Sequence, residues 1–273
     1  MISNQMTEYI NSRYDQAIKR PQYREYYNQS DFMNFGYWAD DTKNQKQACE
    51  NLMERLLSFF PKNVASILDV ACGKGATTAY LAKEHPQANV TGINISEDQL
   101  AIARLNAPEC TFVQMNAADM SFPAESFDAV ICVEAAFHFD TRERFLAEAC
   151  RVLKEGGRLV LSDILHTEEG ERSRASLTEE NHVEDLDAYK AMLRRAGFDV
   201  LEVIDVTEQC WTRHFLYIVE YFHRQFLSGE IDREEMERFL DTTYGRVPDQ
   251  RCYLLAAASK RRARSDGIAR GDV

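Results

Sequence analysis

Between Ile67 and Thr78 the chain reads ILDVACGKGATT, an apolar run that breaks at a glycine-bearing turn and resumes with a helical pattern. A strand that ends in such a turn, with a helix starting directly after it, is the working unit of an open α/β sheet. Ligands bind such sheets outside the carboxyl ends of the strands. The rest of the chain continues the pattern. SILDVA, NVTGINI, CTFVQMNA, FDAVICVEA, RLVLSDIL, FDVLEVIDV and CYLLAAAS read as seven strands with helical patterns between them. FDAVICVEA is nearly continuous in apolar residues, as a strand covered on both faces requires. The expected fold is therefore α/β, a seven-stranded doubly wound sheet.

Local signals set the expected boundaries. Thr42 and Gln45 have capping-box spacing ahead of a helix whose Ala48, Leu52, Leu56 and Phe60 share a face, and Pro61 ends it. Ser96 and Thr141 stand at helix starts, and Gly156-Gly157 reads as the end of the second of these helices. From Val183 to Ala196, Leu186, Tyr189, Leu193 and Ala196 fall on one face, with Gly197 as the stop. Helical patterns at 211–227 and 232–243, together with the aromatic-rich first 40 residues, are left over from the alternation and read as cap elements. The expected organisation is a cap segment at 1–40, one domain at 41–260 with a helical cap insertion at 211–245, and a loose basic tail at 261–273.

Composition removes several function classes. The net charge is −12, and the one dense basic run is Lys260–Arg264, so no nucleic-acid partner is expected. No apolar stretch is long enough to span a bilayer, and MISNQMTEYINSRYDQ lacks the apolar core of a secretion signal, so the expected location is cytoplasmic, without stable membrane insertion. Seven cysteines without a C-x-x-C pair argue against a disulfide framework or a metal site.

The turn itself narrows the ligand. Gly73 and Gly75 permit close backbone approach, and the helix start beyond them favours a carboxylate. Asp69 at the strand end is placed to receive a cationic amino group, and Asn94 stands where a dinucleotide fold would carry an acidic ribose ligand. This combination suits the aminoacyl end of S-adenosylmethionine better than a pyrophosphate. DVACGKG, VTGINISEDQL, NAADMSFPAESFDAV, CVEAAFHF and LKEGGRLVLSDIL follow one another over Ile67–Ile164. In this order and spacing the segment resembles the class I S-adenosylmethionine-dependent methyltransferases, in particular their small-molecule branch of sugar and natural-product O-methyltransferases, which share a Rossmann-like fold. The resemblance implies S-adenosyl-L-methionine as cofactor. It implies that Asp69, Ala71, Gly73 and Gly75 hold the methionine part, Asn94 and Gln99 the ribose, and Asn116 and Ala117 the adenine, with Tyr14 closing over the ligand. Ala71 stands where the family usually has glycine, which its methyl tolerates only at negative φ. Ser96-x-x-Gln99 is equally a plain capping box, and Gly75 equally a packing glycine.

A hydroxyl acceptor needs a base as it attacks. His138 follows the fourth strand and Asp163 ends the fifth, so the two are expected side by side, with the carboxylate orienting the imidazole. The resemblance gives the matching pair in the sugar O-methyltransferases these same roles. Glu134 either lines the site or fixes the loop leading to His138. Trp38, Phe137 and Trp211 are the expected walls for a small-molecule acceptor. N- or C-methylation, of a small molecule or a lipid-like acceptor, is the alternative reaction, and a nicotinamide-dependent oxidoreductase the alternative class. The sequence fixes no oligomeric state.

Overall fold

The computed structural model describes residues 21–173, 179–245 and 247–262. Tyr14 lies outside them. A short helix α1 (Pro21–Tyr26) leads through an extended strap into α2 (Gln45–Leu57). The alternation then runs β1 (Ser66–Val70), α3 (Ala76–Glu84), β2 (Asn89–Asn94), α4 (Glu97–Asn106), β3 (Thr111–Gln114) and β4 (Phe127–Val133). It continues with α5 (Arg142–Val152), β5 (Leu153–His166), α6 (Glu168–Ser173), α7 (Leu186–Arg195), β6 (Phe198–Asp205), α8 (Arg213–Ser228), α9 (Arg233–Tyr244) and β7 (Gln250–Lys260).

The strands form one sheet in the order β3-β2-β1-β4-β5-β7-β6. Neighbours from β3 to β5 are parallel, and β7 inserts antiparallel between β5 and β6. The chain reverses its direction of travel between β1 and β4, which makes their carboxyl ends the ligand-binding crevice. The continuous apolar run of β4 is explained by packing on both sides. Val130 and Cys132 face α5 and α7 through Phe145, Leu146, Ala149, Tyr189 and Leu193, whereas Ala129 and Ile131 face Leu52, Met53 and Leu56 of α2.

Three expected boundaries are corrected. The cap of α2 is Asn44, extended at φ −158°, whose side chain accepts from the Gln47 amide. Thr42 instead accepts from Asn51, and Gln45 is wholly buried in a polar cluster. Gly156-Gly157 does not end α5. The helix stops at Val152, and the glycines lie in a bulged stretch of β5, between the pairs Phe127–Leu153 and Ala129–Arg158. The cap helix expected from Trp211 opens earlier, as a π-helical turn at Glu208–Thr212, and α6 and a short 3-10 turn at Glu179–Asn181 were not foreseen. Lys260, within the expected domain, and Arg261, the first residue of the expected tail, are both tied to the sheet. Lys260 Nζ donates to the Leu153 carbonyl, and Arg261 pairs with Asp199.

Candidate active site

A cleft of about 1200 Å³, including its solvent-open mouth, runs along the carboxyl ends of β1, β2, β3 and β4. Its floor is the turn after β1. Ala71, Gly73 and Gly75 all have positive φ, of 59°, 55° and 82°. Ala71 thus adopts the conformation its methyl disfavours, contrary to the expectation of negative φ, at a cost of roughly 1–2 kcal/mol. Gly73 lines the cleft, where a Cβ would only touch the Met33 sulfur at an ordinary 3.4 Å, so it is the positive φ that calls for glycine. Gly75 does not line it. A Cβ there would lie 2.8 Å from the Ala103 Cβ and 2.9 Å from its Cα, so this glycine lets α3 pack on α4. Ala76 and Thr77 bring the amino end of α3 to the cleft wall.

Asp69 stands behind the turn. It is buried outside the cleft lining, and its Oδ2 accepts from the hydroxyls of Thr77 and Thr78, both at 2.7 Å. It braces the first turn of α3 from behind. Burial pushes its pKa up to about 6 against the lowering effect of those two bonds.

At the β2 end Asn94 Nδ2 donates to Gln99 Oε1 at 3.0 Å, its Oδ1 accepts from the Ile95 amide, and Ser96 caps α4 by accepting from the Gln99 amide. Gln99 thus lines the cleft with its side chain while Ser96 caps its backbone amide. Asn116 and Ala117 line the far end with Ile95 and Met115, and Asn116 Oδ1 also accepts from the Ala118 amide.

At the β4 end the cleft is walled by Glu134, Ala135, His138, Phe139 and Asp140. His138 is delivered by a 3-10 turn, Ala136–His138. The expected His138–Asp163 partnership is not observed. Asp163, fully buried and outside the cleft lining, receives Arg142 Nε on Oδ2 at 2.7 Å and the Tyr189 hydroxyl at 3.0 Å; its own neighbour's amide donates to Oδ1. Arg142 is buried too and also donates to the carbonyls of Ile164 and Asn181. Asn181 in turn donates to the Phe137 carbonyl at 3.1 Å, so the ion pair is tied to the turn that carries His138. Nothing in the sequence distinguished Arg142 from the exposed arginines of amphipathic helices.

Glu134 has φ +54° and stands against the strap. Its Oε2 accepts from the Phe35 amide and the Tyr253 hydroxyl, both at 2.8 Å. Removal from water pushes its pKa up to about 8, although both hydrogen bonds oppose the shift. The strap places Asp31, Met33 and Asn34 on the cleft wall. It is held by Lys74–Asp31 and by Gln45 Nε2 on the carbonyls of Asn34 and Phe35. His214 of α8 completes this clamp, stacked on Phe35 at 4.4 Å with Nδ1 against Tyr26 and Gln45, and burial lowers its pKa to about 3.

None of the three expected acceptor aromatics lines the cleft. Trp38 is buried against Tyr217, Phe137 against His166, and Trp211 packs on Phe35 and Phe215. Phe139 and Met33 supply the apolar walls instead. Among the described residues no helix is long and apolar enough to cross a membrane, and no cluster of metal-ligating side chains occurs.

A methyltransferase-domain family model matches residues 68–161, the span from β1 to β5. The chain is 32% identical to the 27-O-demethylrifamycin SV methyltransferase of Amycolatopsis mediterranei, over 66% of this chain and 72% of that one. It is 30% identical to the methyltransferase GfsG of Streptomyces halstedii, covering 66% and 70%, and 32% identical to the O-methyltransferase cnsE of Penicillium expansum, covering 65% and 68%. The fold matches the [4+2]-cyclase SpnF with a TM-score of 0.73 at 22% identity, covering 94% of this chain and 97% of that one. It also matches the Haemonchus contortus phosphoethanolamine N-methyltransferase 2 solved with S-adenosyl-L-methionine, with a TM-score of 0.69 at 18% identity, covering 90% and 60%. The chain belongs to the S-adenosylmethionine-dependent methyltransferases, and its cofactor is S-adenosyl-L-methionine. The cleft fits that ligand: its floor is left open by Gly73, a helix amino end borders it, and amides and apolar walls alternate along its length.

Proposed function

We propose that the protein transfers a methyl group to a hydroxyl of a small natural product, with His138 as general base. One observation carries this reading: His138 lines the same cleft as Gly73, Asn94, Gln99 and Asn116. The proposal gives the amino end of α3 and Gly73 to the aminoacyl part, Asn94 and Gln99 to the ribose, and Asn116 and Ala117 to the adenine. When bound, the cofactor supplies a methyl already activated by a sulfonium. The chain then has to align the acceptor and take up its proton, which general-base catalysis accelerates by about 10²–10⁴-fold. His138 takes that proton, and Asp163 serves through Arg142 and Asn181 as a brace for the turn instead of as the imidazole's partner. The relatives named for O-methylation favour a hydroxyl acceptor over an amine or carbanion.

The test follows methyl-labelled cofactor into a panel of hydroxylated natural products, with wild type and His138→Ala side by side. The variant is expected to bind the cofactor within threefold of wild type and to transfer to hydroxyls roughly 10²–10⁴-fold more slowly. Full-rate transfer by the variant overturns the assignment.

A further inference from the structure

Among the described residues three carboxylates line the cleft, Asp31, Glu134 and Asp140, and they are treated differently. Asp31 is paired with Lys74, and Asp140 with Arg144 at the exposed rim. Glu134 alone of the three receives its hydrogen bonds from uncharged donors only, the Phe35 amide and the Tyr253 hydroxyl. Both fall on Oε2, on the side of the strap. Among the described residues, the groups around it do not supply the missing cation. Tyr253 of β7, Cys49 of α2, Cys210 of the π-helical turn and Asp163 of β5 are its titratable neighbours, and each is neutral or negative. His138 and Asp140 share its end of the cleft, and the Lys74–Asp31 pair lies on the wall.

A carboxylate held in a ligand cleft without a cation of its own costs stability unless the ligand brings the charge. S-Adenosylmethionine and S-adenosylhomocysteine share their amino-acid end, ribose and adenine. They differ by one methyl and the formal positive charge on sulfur. We infer that Glu134 is the residue by which this site distinguishes the charged cofactor from the neutral product, its carboxylate stabilising the sulfonium form and releasing the product once the methyl has left. The inference rests on the cofactor's occupying this cleft, as the proposed function does, but not on His138 acting as a base. The raised pKa agrees with it. At neutral pH the unliganded side chain is largely protonated, and a cation beside it lowers the pKa and expels the proton. Cofactor affinity therefore rises with pH up to about 8, while product affinity does not follow.

Calorimetric titration of both ligands between pH 6 and 8.5 tests this. In wild type the ratio of cofactor to product affinity is expected to rise roughly tenfold across that range. In Glu134→Gln the ratio is expected to be flat, with cofactor bound about tenfold more weakly than by wild type at pH 8 and product within threefold. Equal losses for both ligands, or a wild-type ratio independent of pH, overturn the inference. Should Glu134→Gln not fold, wild type alone decides the matter. Titration near pH 7 in buffers of different ionisation enthalpy must show more protons released with the cofactor than with the product, and equal counts overturn the inference. His138→Ala separates the two readings. If it keeps the pH-dependent ratio and still methylates hydroxyls at full rate, the base assignment falls and the Glu134 inference stands.

Discussion

The two ends of the cleft are built by different means. At the β1 end the backbone does the work: three residues at positive φ, a glycine pressed against α4, and a helix start braced by Asp69. At the β4–β5 end, side chains from distant parts of the chain converge on two acids. Asp163 is given a guanidinium and two further donors, and Glu134 is given only an amide and a hydroxyl. The contrast teaches that a buried acid at a strand end has no fixed meaning. A paired one holds the scaffold, whereas one without a cation leaves a place for a charged ligand.

The largest effect expected from this contrast is at the ion pair. Arg142→Ala strands a fully buried carboxylate and is expected to cost about 3–5 kcal/mol in denaturant unfolding, whereas replacing Arg142 and Asp163 together by apolar residues of similar volume should cost far less. If the single and double variants are equally destabilised, the pair is not the brace described here. Next comes Gly75→Ala, which combines a positive φ with a clash on Ala103 and should cost about 2–4 kcal/mol, partly recovered by Ala103→Gly. A loss without recovery would place the role of Gly75 elsewhere than between the helices.

The pH dependence of stability also has a defined sign. Asp69 and Glu134 both have folded pKa values above their unfolded ones, about 6 and about 8. The native state therefore holds protons more tightly than the unfolded state. Stability is fully present below the unfolded carboxylate range and is lost as pH rises through 6 and then 8. Chemical denaturation across pH 4–9 should show that decline, and Glu134→Gln should remove its upper part. A variant curve parallel to wild type would mean that Glu134 is ionised throughout. Smallest of all, Ala71→Gly should relieve the strained φ and raise stability by roughly 0.5–1 kcal/mol in the same assay.

The two ends also differed in how legible they were. The seven strands, the caps at Ser96 and Thr141 and the turn after β1 follow from local patterning, because period and glycine placement are written within a few residues. Asn94, Gln99, Asn116 and Ala117 could be named only through the resemblance of the motifs to those of the methyltransferases, and all four line the cleft. The π-helical turn and the true cap of α2 were missed because tertiary contacts override local preference there: Gln45, read as half of a capping box, is drawn into the cluster with Tyr26 and His214. The Asp163–Arg142 pair was missed for a related reason. Asp163 and His138 are close in the order of strands, but an arginine on the first turn of α5 reaches the carboxylate from within the core. Trp38, Phe137 and Trp211 were offered as acceptor walls because aromatic residues near strand ends and caps carry no mark that separates a pocket from a core.

The central proposal is a proton acceptor at 138 serving a hydroxyl. It is tested most directly by single-turnover methyl transfer to one acceptor scaffold in two forms, hydroxyl and free amine, by wild type and His138→Ala at saturating cofactor. The prediction is a loss of roughly 10²–10⁴-fold on the hydroxyl and less than tenfold on the amine, whose lone pair needs no base to attack. Equal losses on both forms, or none on the hydroxyl, would contradict it.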